Sequence, residues 1–595
     1  MARTLNRMRP LCLNSVLRFA FPLIAAWLLI GAPANAGRIE TRGDETVIHI
    51  VSAVPVNPAS PSIANQADMA AIRAFQREWP HIFAERYRAK YKANPTKYGT
   101  HNWDKISVEI EPFTGIKVEG AEVDLLAIAG GIAPDVLYIN FRKSDSYIQN
   151  NFLYPLDKPE DGYLSTMTEE EQAFRIHPTL WQVIDRIGPG GQHVWALPYG
   201  GALGKVLLYR KDLFDRYKVP HPTVDWTWDD LLAAARALTD PKRGTYGIQL
   251  HRGKQESWYW VTYLWSAGGD VMEYNKDTDQ WRCVFGSTAG VEALDFYTRL
   301  SAERWVDADG VVRRGYSSKD ASDFAMKWER GEIGMMMAYI DERLFSTINP
   351  ELTGMVPVPK GPRGERGGEL NSRMMGLFSG ITDPAVRDAA WEFMRFYESE
   401  AAVRIKTKIM VEGGYGPFVN PRYLHQFGYP EFERLSPPGW AETFEIAIET
   451  GRPEPYGRNS NVAYDLMTLP IERAEQLALS DQLPDDPKAR AGHFSKSANE
   501  GGNAGKRNYD WDCSARPTSH PSGDRACDTH RIAGRLRMGL SQSVCNIPSG
   551  TLGSRAAIAR KKNIRLGLAA PHSRTAHDPC LAIPPPRAGG RNGIF

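Results

Sequence analysis

Three short apolar runs separated by two helical stretches open the body of this chain, and that order constrains its fold more than any other feature. Residues 47–51 (Val-Ile-His-Ile-Val) have the length and β-branched content of a buried strand. A loop rich in Pro, Asn and Ser follows, then a helical stretch over about residues 64–92. Residues 107–110 predict a second strand, 118–129 a second helix, and Pro134-Asp-Val-Leu-Tyr-Ile-Asn140 a third strand entered through a proline turn. A β-α-β-α-β order implies a largely parallel sheet, because parallel neighbours need a long crossover between them. Ligands of such sheets sit beyond the carboxyl ends of the strands, which marks the loops after Val51 and Ile139.

The pattern recurs further on. Residues 206–209 are strand-like, and residues 228–238 form an amphipathic helix whose entry is marked by Thr227 with Asp230 three residues later. Residues 239–244 make a turn before a strand at 246–250, so a second α/β lobe fits here. A helix over 385–400, starting after Thr382-Asp-Pro384, carries Ala389, Ala390, Phe393, Met394 and Phe396 at core spacing and is expected to link the lobes. At 595 residues, two lobes are more natural than one core.

Both ends of the chain differ in character from its body. Arg3, Arg7, Arg9 and Arg18 precede an apolar run over residues 19–31, and Ala34-Asn35-Ala36 offers small residues for cleavage before Gly37, so residues 1–36 predict a secretory signal peptide. The apolar run is shorter than the roughly 20 residues that span a bilayer, and no later stretch is long enough either. Beyond about residue 495, Arg, Ser, Gly, Pro and His dominate and no apolar period is sustained, which reads as a disordered basic tail or as translation in an altered frame. Residues 501–595 hold 15 Lys and Arg against 5 Asp, whereas residues 37–500 hold 53 basic against 65 acidic residues. A mildly acidic body argues against nucleic acid as its partner. Four cysteines lie in the tail and only Cys283 in the body, so the main fold needs no disulfide. Cys527-x-x-His530 and His577-x-x-Cys580 have zinc-ligand spacing, but no folded scaffold supports them and no metal or cofactor is expected.

The body carries no G-x-S-x-G, H-E-x-x-H, C-x-x-C or phosphate-binding G-x-x-x-x-G-K. A hydrolase with two carboxylates needs none of these, so a secreted carbohydrate-active enzyme stays open as the alternative to a non-enzymatic binder. Trp258, Tyr259, Trp260, Tyr263 and Trp265 cluster just after Gln255-Glu256. Flat rings suit sugars, whose axial C–H groups turn toward an aromatic face while hydroxyls bond at its edge; most of these rings are expected in the core, with one or two left for a ligand.

Several motifs in a fixed order carry a family resemblance. They are Ala133-Pro-Asp-Val-Leu-Tyr-Ile-Asn140; Tyr147 to Asp157; Ala196-Leu-Pro-Tyr-Gly200 through Leu208-Tyr-Arg-Lys-Asp-Leu-Phe214; Trp226-Thr-Trp-Asp-Asp-Leu-Leu232; Gly331-Glu-Ile-Gly-Met335; Pro357-Val-Pro-Lys-Gly-Pro362; and Gly416-Pro417. Together, over residues 47 to about 480, they resemble the family 1 extracellular solute-binding proteins, the sugar-binding components of ABC importers that include maltose-binding protein. The resemblance implies an α/β, two-lobed periplasmic-binding-protein fold of type II with hinge crossovers. It places residues 37–155 plus about 325–385 in an N-terminal lobe, 156–324 plus about 386–495 in a C-terminal lobe, and 496–595 in the tail. It also implies a monomer in the periplasm that takes a carbohydrate or a sugar phosphate to permease subunits in the inner membrane without making or breaking bonds. By position, Glu256 would accept hydroxyl bonds and Trp258 would stack; Asn140 and Arg142 would meet ligand after the third strand; Tyr339 and Asp341 would follow the Gly331 motif; Tyr199 and Tyr464 would complete the set.

Overall fold

A computed structural model describes residues 38–54, 59–113, 123–275, 280–319, 324–340, 349, 351–436, 439–458, 460–486 and 488–496. The expected signal segment and all but the first residue of the expected tail lie outside these. The framework is an eleven-stranded sheet: β1 (Ile39–Arg42), β2 (Glu45–Ser52), β3 (Ile106–Pro112), β4 (Val136–Ile139), β5 (Leu197–Arg210), β6 (Tyr246–Gln249), β7 (Ser317–Ser318), β8 (Ile333–Tyr339), β9 (Thr353–Pro357), β10 (Glu369–Leu377) and β11 (Arg452–Pro453). The main path runs β1-β2-β4-β10-β5-β8-β6-β7, with β3 beside β2, β9 beside β5 and β11 beside β10. The helices that matter here are α1 (Ile63–Arg86), α2 (Phe141–Gln149), α3 (Trp228–Leu238), α4 (Lys254–Ser266), α5 (Thr288–Ala302), α6 (Pro384–Tyr397), α7 (Trp440–Glu449) and α8 (Ser460–Leu479).

β2 explains why its run is apolar without alternation: Val47 and Ile48 point to opposite faces and both are fully buried. It pairs in parallel with β3 from Thr46↔Ile106 to Ser52↔Pro112, and with β4 at Ser52↔Val136. β10 then returns antiparallel to β4 and pairs with the first half of β5, from Met375↔Leu197 to Leu370↔Gly204. The second half of β5 leaves β10 and pairs antiparallel with β8, from Lys205↔Tyr339 to Tyr209↔Met335, and with β9. A single 14-residue strand thus serves two halves of the sheet in turn.

Two large apolar clusters pack on the two halves of the sheet. In the first, Phe75, Trp79 and Phe83 of α1 and Ala389, Trp391 and Phe393 of α6 pack on Ile48, Val108, Leu137 and Met375. In the second, Leu231, Leu264, Leu294 and Ile471 from α3, α4, α5 and α8 pack on Leu207, Ile248 and Met335. Trp440 and Phe444 of α7 cover the opposite face of β5 and β8. Helix entry follows the local code: Thr227 and Asp230 form a reciprocal capping box on α3, and the Asp383 side chain accepts from the Ala385 N–H where Pro384 begins α6.

Leu197-Pro-Tyr-Gly200 begins β5, its backbone taken up by β10. Two expectations change. α6 does not bridge the lobes; its whole apolar stripe goes into the first core. The cores also divide the chain elsewhere than expected: Leu156, Tyr163, Ile184 and Trp195 belong to the first, whereas Met335 and Met337 belong to the second. Pairing with the crossover strand, not sequence position, decides which lobe a segment joins. Among the described residues no helix is long and apolar enough to cross a membrane.

Candidate ligand-binding site

The carboxyl ends of β4, β6 and β8 converge where the lobes meet, as the sheet order requires. Asn140 follows β4 directly and caps α2, its side chain accepting from the Lys143 N–H at 3.0 Å. That cap orients Arg142 in the first turn, and the Ser460 hydroxyl of α8 donates to the Arg142 carbonyl at 2.8 Å. The Arg142 guanidinium then reaches the second lobe. It lies 5.8 Å from the Trp258 ring centre and 5.4 Å from that of Tyr464. Its Nε is 3.5 Å from Glu454 Oε1.

Beneath these rings sits a buried charge pair. Lys205, the first residue of β5 to pair with β8, donates to Glu369 Oε2 at 2.9 Å and to the Trp258 carbonyl at 3.3 Å. The Trp258 indole N–H and the Asn371 amide both donate to Glu369 Oε1, at 3.3 and 3.1 Å. The Lys205 ammonium also lies over the rings of Trp258, Tyr259 and Tyr339, at 5.8, 5.1 and 5.2 Å. Tyr339 tilts against Trp258 with centroids 5.6 Å apart. His251, two residues past β6, stacks on Tyr259 at 3.8 Å and is held neutral, its pKa pushed down to about 4 by burial and then by the Lys205 and Lys319 charges.

Glu454 is 2% exposed, and its Oε1 takes no hydrogen bond. Burial above all, and then the neighbouring Glu369 carboxylate, push its pKa up to about 8 against an attraction from Arg142 and Lys205. The Tyr464 hydroxyl faces Glu454 and that of Tyr339 faces Glu369; both pKa values are raised by burial and these charges, and neither hydroxyl has good hydrogen-bond geometry. Buried polar atoms left this way cost free energy until a partner arrives, so the cluster is prepared for a guest with hydroxyls.

The raised carboxyl also gives a pH signature. A folded pKa above the usual 4.5 means that Glu454 contributes stability in full below about pH 4.5 and loses it as pH climbs through about 8. Wild-type protein is therefore expected to lose more stability between pH 6 and 9 than Glu454→Gln, measured by urea unfolding at each pH. Parallel pH profiles for the two proteins would contradict the assignment.

Of the expected site residues, the structure brings Arg142, Trp258, Tyr339 and Tyr464 together, with Asn140 at their edge. Glu256 is elsewhere. In a helix, positions two apart differ by roughly 200° around the axis, so α4 cannot present Glu256 and Trp258 to one ligand. Glu256 instead turns into the second lobe, where Lys319 donates to it at 2.5 Å, the Tyr297 hydroxyl donates at 3.0 Å, and Lys319 also pairs with Glu475. Tyr199 packs edge-on against Tyr138 and Tyr397 and lines a neighbouring recess of about 120 Å³ with Asp68, Arg373 and Lys406. Asp341 lies outside the described residues. Sequence reasoning missed Lys205, Glu369, Glu454 and His251. Lys205 had left a signal, as a lone cation in the otherwise apolar run Ala202-Leu-Gly-Lys-Val-Leu-Leu208.

A Brucella abortus (strain 2308) protein assigned provisionally as a binding protein is 24% identical over 359 residues, covering 55% of this chain and 77% of its own, and a Brucella suis biovar 1 protein matches equally. Among solved structures, the GacH receptor of Streptomyces glaucescens is 16% identical with a TM-score of 0.48, covering 77% of this chain and 98% of that one. UgpB from Mycobacterium tuberculosis, in complex with glycerophosphocholine, is 14% identical with a TM-score of 0.49 over 77% and 98%. Residues 110–404, which run from the end of β3 past α6 and include β5, β8 and β10, match the model for bacterial extracellular solute-binding proteins.

Proposed function

We propose that this protein is the periplasmic substrate-binding component of an ABC importer, exported by its signal peptide, which captures a carbohydrate between its lobes and passes it unchanged to permease subunits in the inner membrane. One observation carries the carbohydrate reading: the Arg142 guanidinium lies over the rings of both Trp258 and Tyr464, with Tyr339 beside Trp258, next to a buried Glu454 oxygen and two tyrosine hydroxyls in poor hydrogen-bond geometry. Ring faces suit the C–H side of a pyranose, and Glu454 Oε1 with the two tyrosine hydroxyls suits its rim. Closure can be driven only by contacts that are better in the closed form, so the guest has to touch both lobes.

Glu369 and Glu454 also give a second reading some ground, since two carboxylates in one recess are what a glycosidase uses. Glu369, however, is already engaged by Lys205, Trp258 and Asn371, which leaves it poorly placed as a nucleophile or base. Incubation with a panel of mono- and oligosaccharides decides between them. The binder is expected to raise its melting temperature with one or more sugars, by roughly the equivalent of 2.7 kcal/mol at a hundredfold excess over Kd, and to return each sugar intact by chromatography. Consumption of a sugar would show an enzyme, and no shift with any sugar would remove the carbohydrate reading.

A further inference from the structure

We propose that Arg142 is a built-in occupant of the aromatic slot, a guanidinium from the first lobe that holds the lobes together until a guest displaces it. The inference rests on the reading that Trp258 and Tyr464 form the ligand slot. Two of the three groups that the Arg142 side chain approaches lie across the lobe boundary: the Trp258 and Tyr464 rings belong to the second core, while Glu454 follows β11, which pairs with β10. A guanidinium is flat, weakly hydrated and cationic, so it lies against the same ring faces that would take a pyranose. Guest and arginine therefore compete for one surface.

The two cations of the site differ in what leaving would cost. Lys205 is 1% exposed and fixed to Glu369, whereas the Arg142 side chain is 33% exposed and holds Glu454 only through a 3.5 Å approach. Arg142 can swing outward into water, and in doing so it uncovers Glu454 Oε1 for a ligand hydroxyl. A guest thus has to bind better than the arginine it replaces, and apparent affinity is lowered by the population that the arginine occupies. This selects for ligands that make both a ring contact and a hydrogen bond to Glu454.

Hydrogen exchange read by mass spectrometry on the full-length, ligand-free chain tests this directly. In Arg142→Ala, amides of α2, α4 and the start of α8 are expected to exchange about tenfold faster than in wild type, while those of α1 and α6 in the first core are unchanged, which shows that the lobe itself stays folded. Arg142→Lys keeps the charge without the flat cation and is expected to fall between. With a sugar identified by the panel, Arg142→Ala should bind about tenfold more tightly. Exchange in α2, α4 and α8 that matches wild type, or a weakened affinity for the sugar, overturns the proposal. If no sugar binds either protein, the carbohydrate reading fails while the ligand-free exchange still decides the role of Arg142.

Discussion

Replacing Trp258 by alanine is expected to weaken binding of the sugar identified by the panel about tenfold or more, roughly 1.4 kcal/mol, in titration calorimetry. The indole serves the site twice, through the ring that Arg142 and Lys205 approach and through the N–H that it donates to Glu369. Its loss removes a ring platform, yet Glu369 keeps Lys205 and Asn371 as partners, so no buried charge is stranded. Trp258 is only partly buried at the edge of the second core, and the ligand-free protein should keep its fold. Unaltered affinity would show that the guest binds elsewhere.

Lys205→Met is expected to have the largest effect on stability. Lys205 and Glu369 are 1% and 0% exposed, so removing the cation leaves a carboxylate in a dry recess that already holds Glu454. Breaking one side of such a pair costs about 3–5 kcal/mol, whereas replacing both sides with groups of similar volume is close to neutral. The single variant should therefore unfold at markedly lower urea, and the double variant Lys205→Met with Glu369→Leu should recover most of the loss. A single variant as stable as wild type would mean that Glu369 is neutral in the folded protein and that the pair is not ionic.

How far the site could be read from sequence depends on the range of the interactions involved. The strands at 47–51, 107–110 and 134–140 and the capped helix at 228–238 were legible because β-branched runs, proline turns and capping residues act over a few positions. Trp258 and Arg142 were singled out in the sequence because their neighbours match a family order. Glu256 was misplaced because its role depends on which way a helix faces, and that is fixed by Lys319 and Tyr297, 63 and 41 residues away. Glu454 looked like any other acid, since nothing within a few residues of it signals burial.

The sequence by itself determined the α/β class, the parallel start of the first lobe, the entries of α3 and α6 and the position of the aromatic cluster, because backbone propensity and apolar periodicity are local. Only the tertiary structure decided that β5 serves two halves of the sheet, that α6 belongs to the first core, and that Lys205, Glu369, Glu454 and Arg142 meet around Trp258. Those outcomes depend on strand pairing and on charges left with no water to screen them, and both arise between residues brought together by folding.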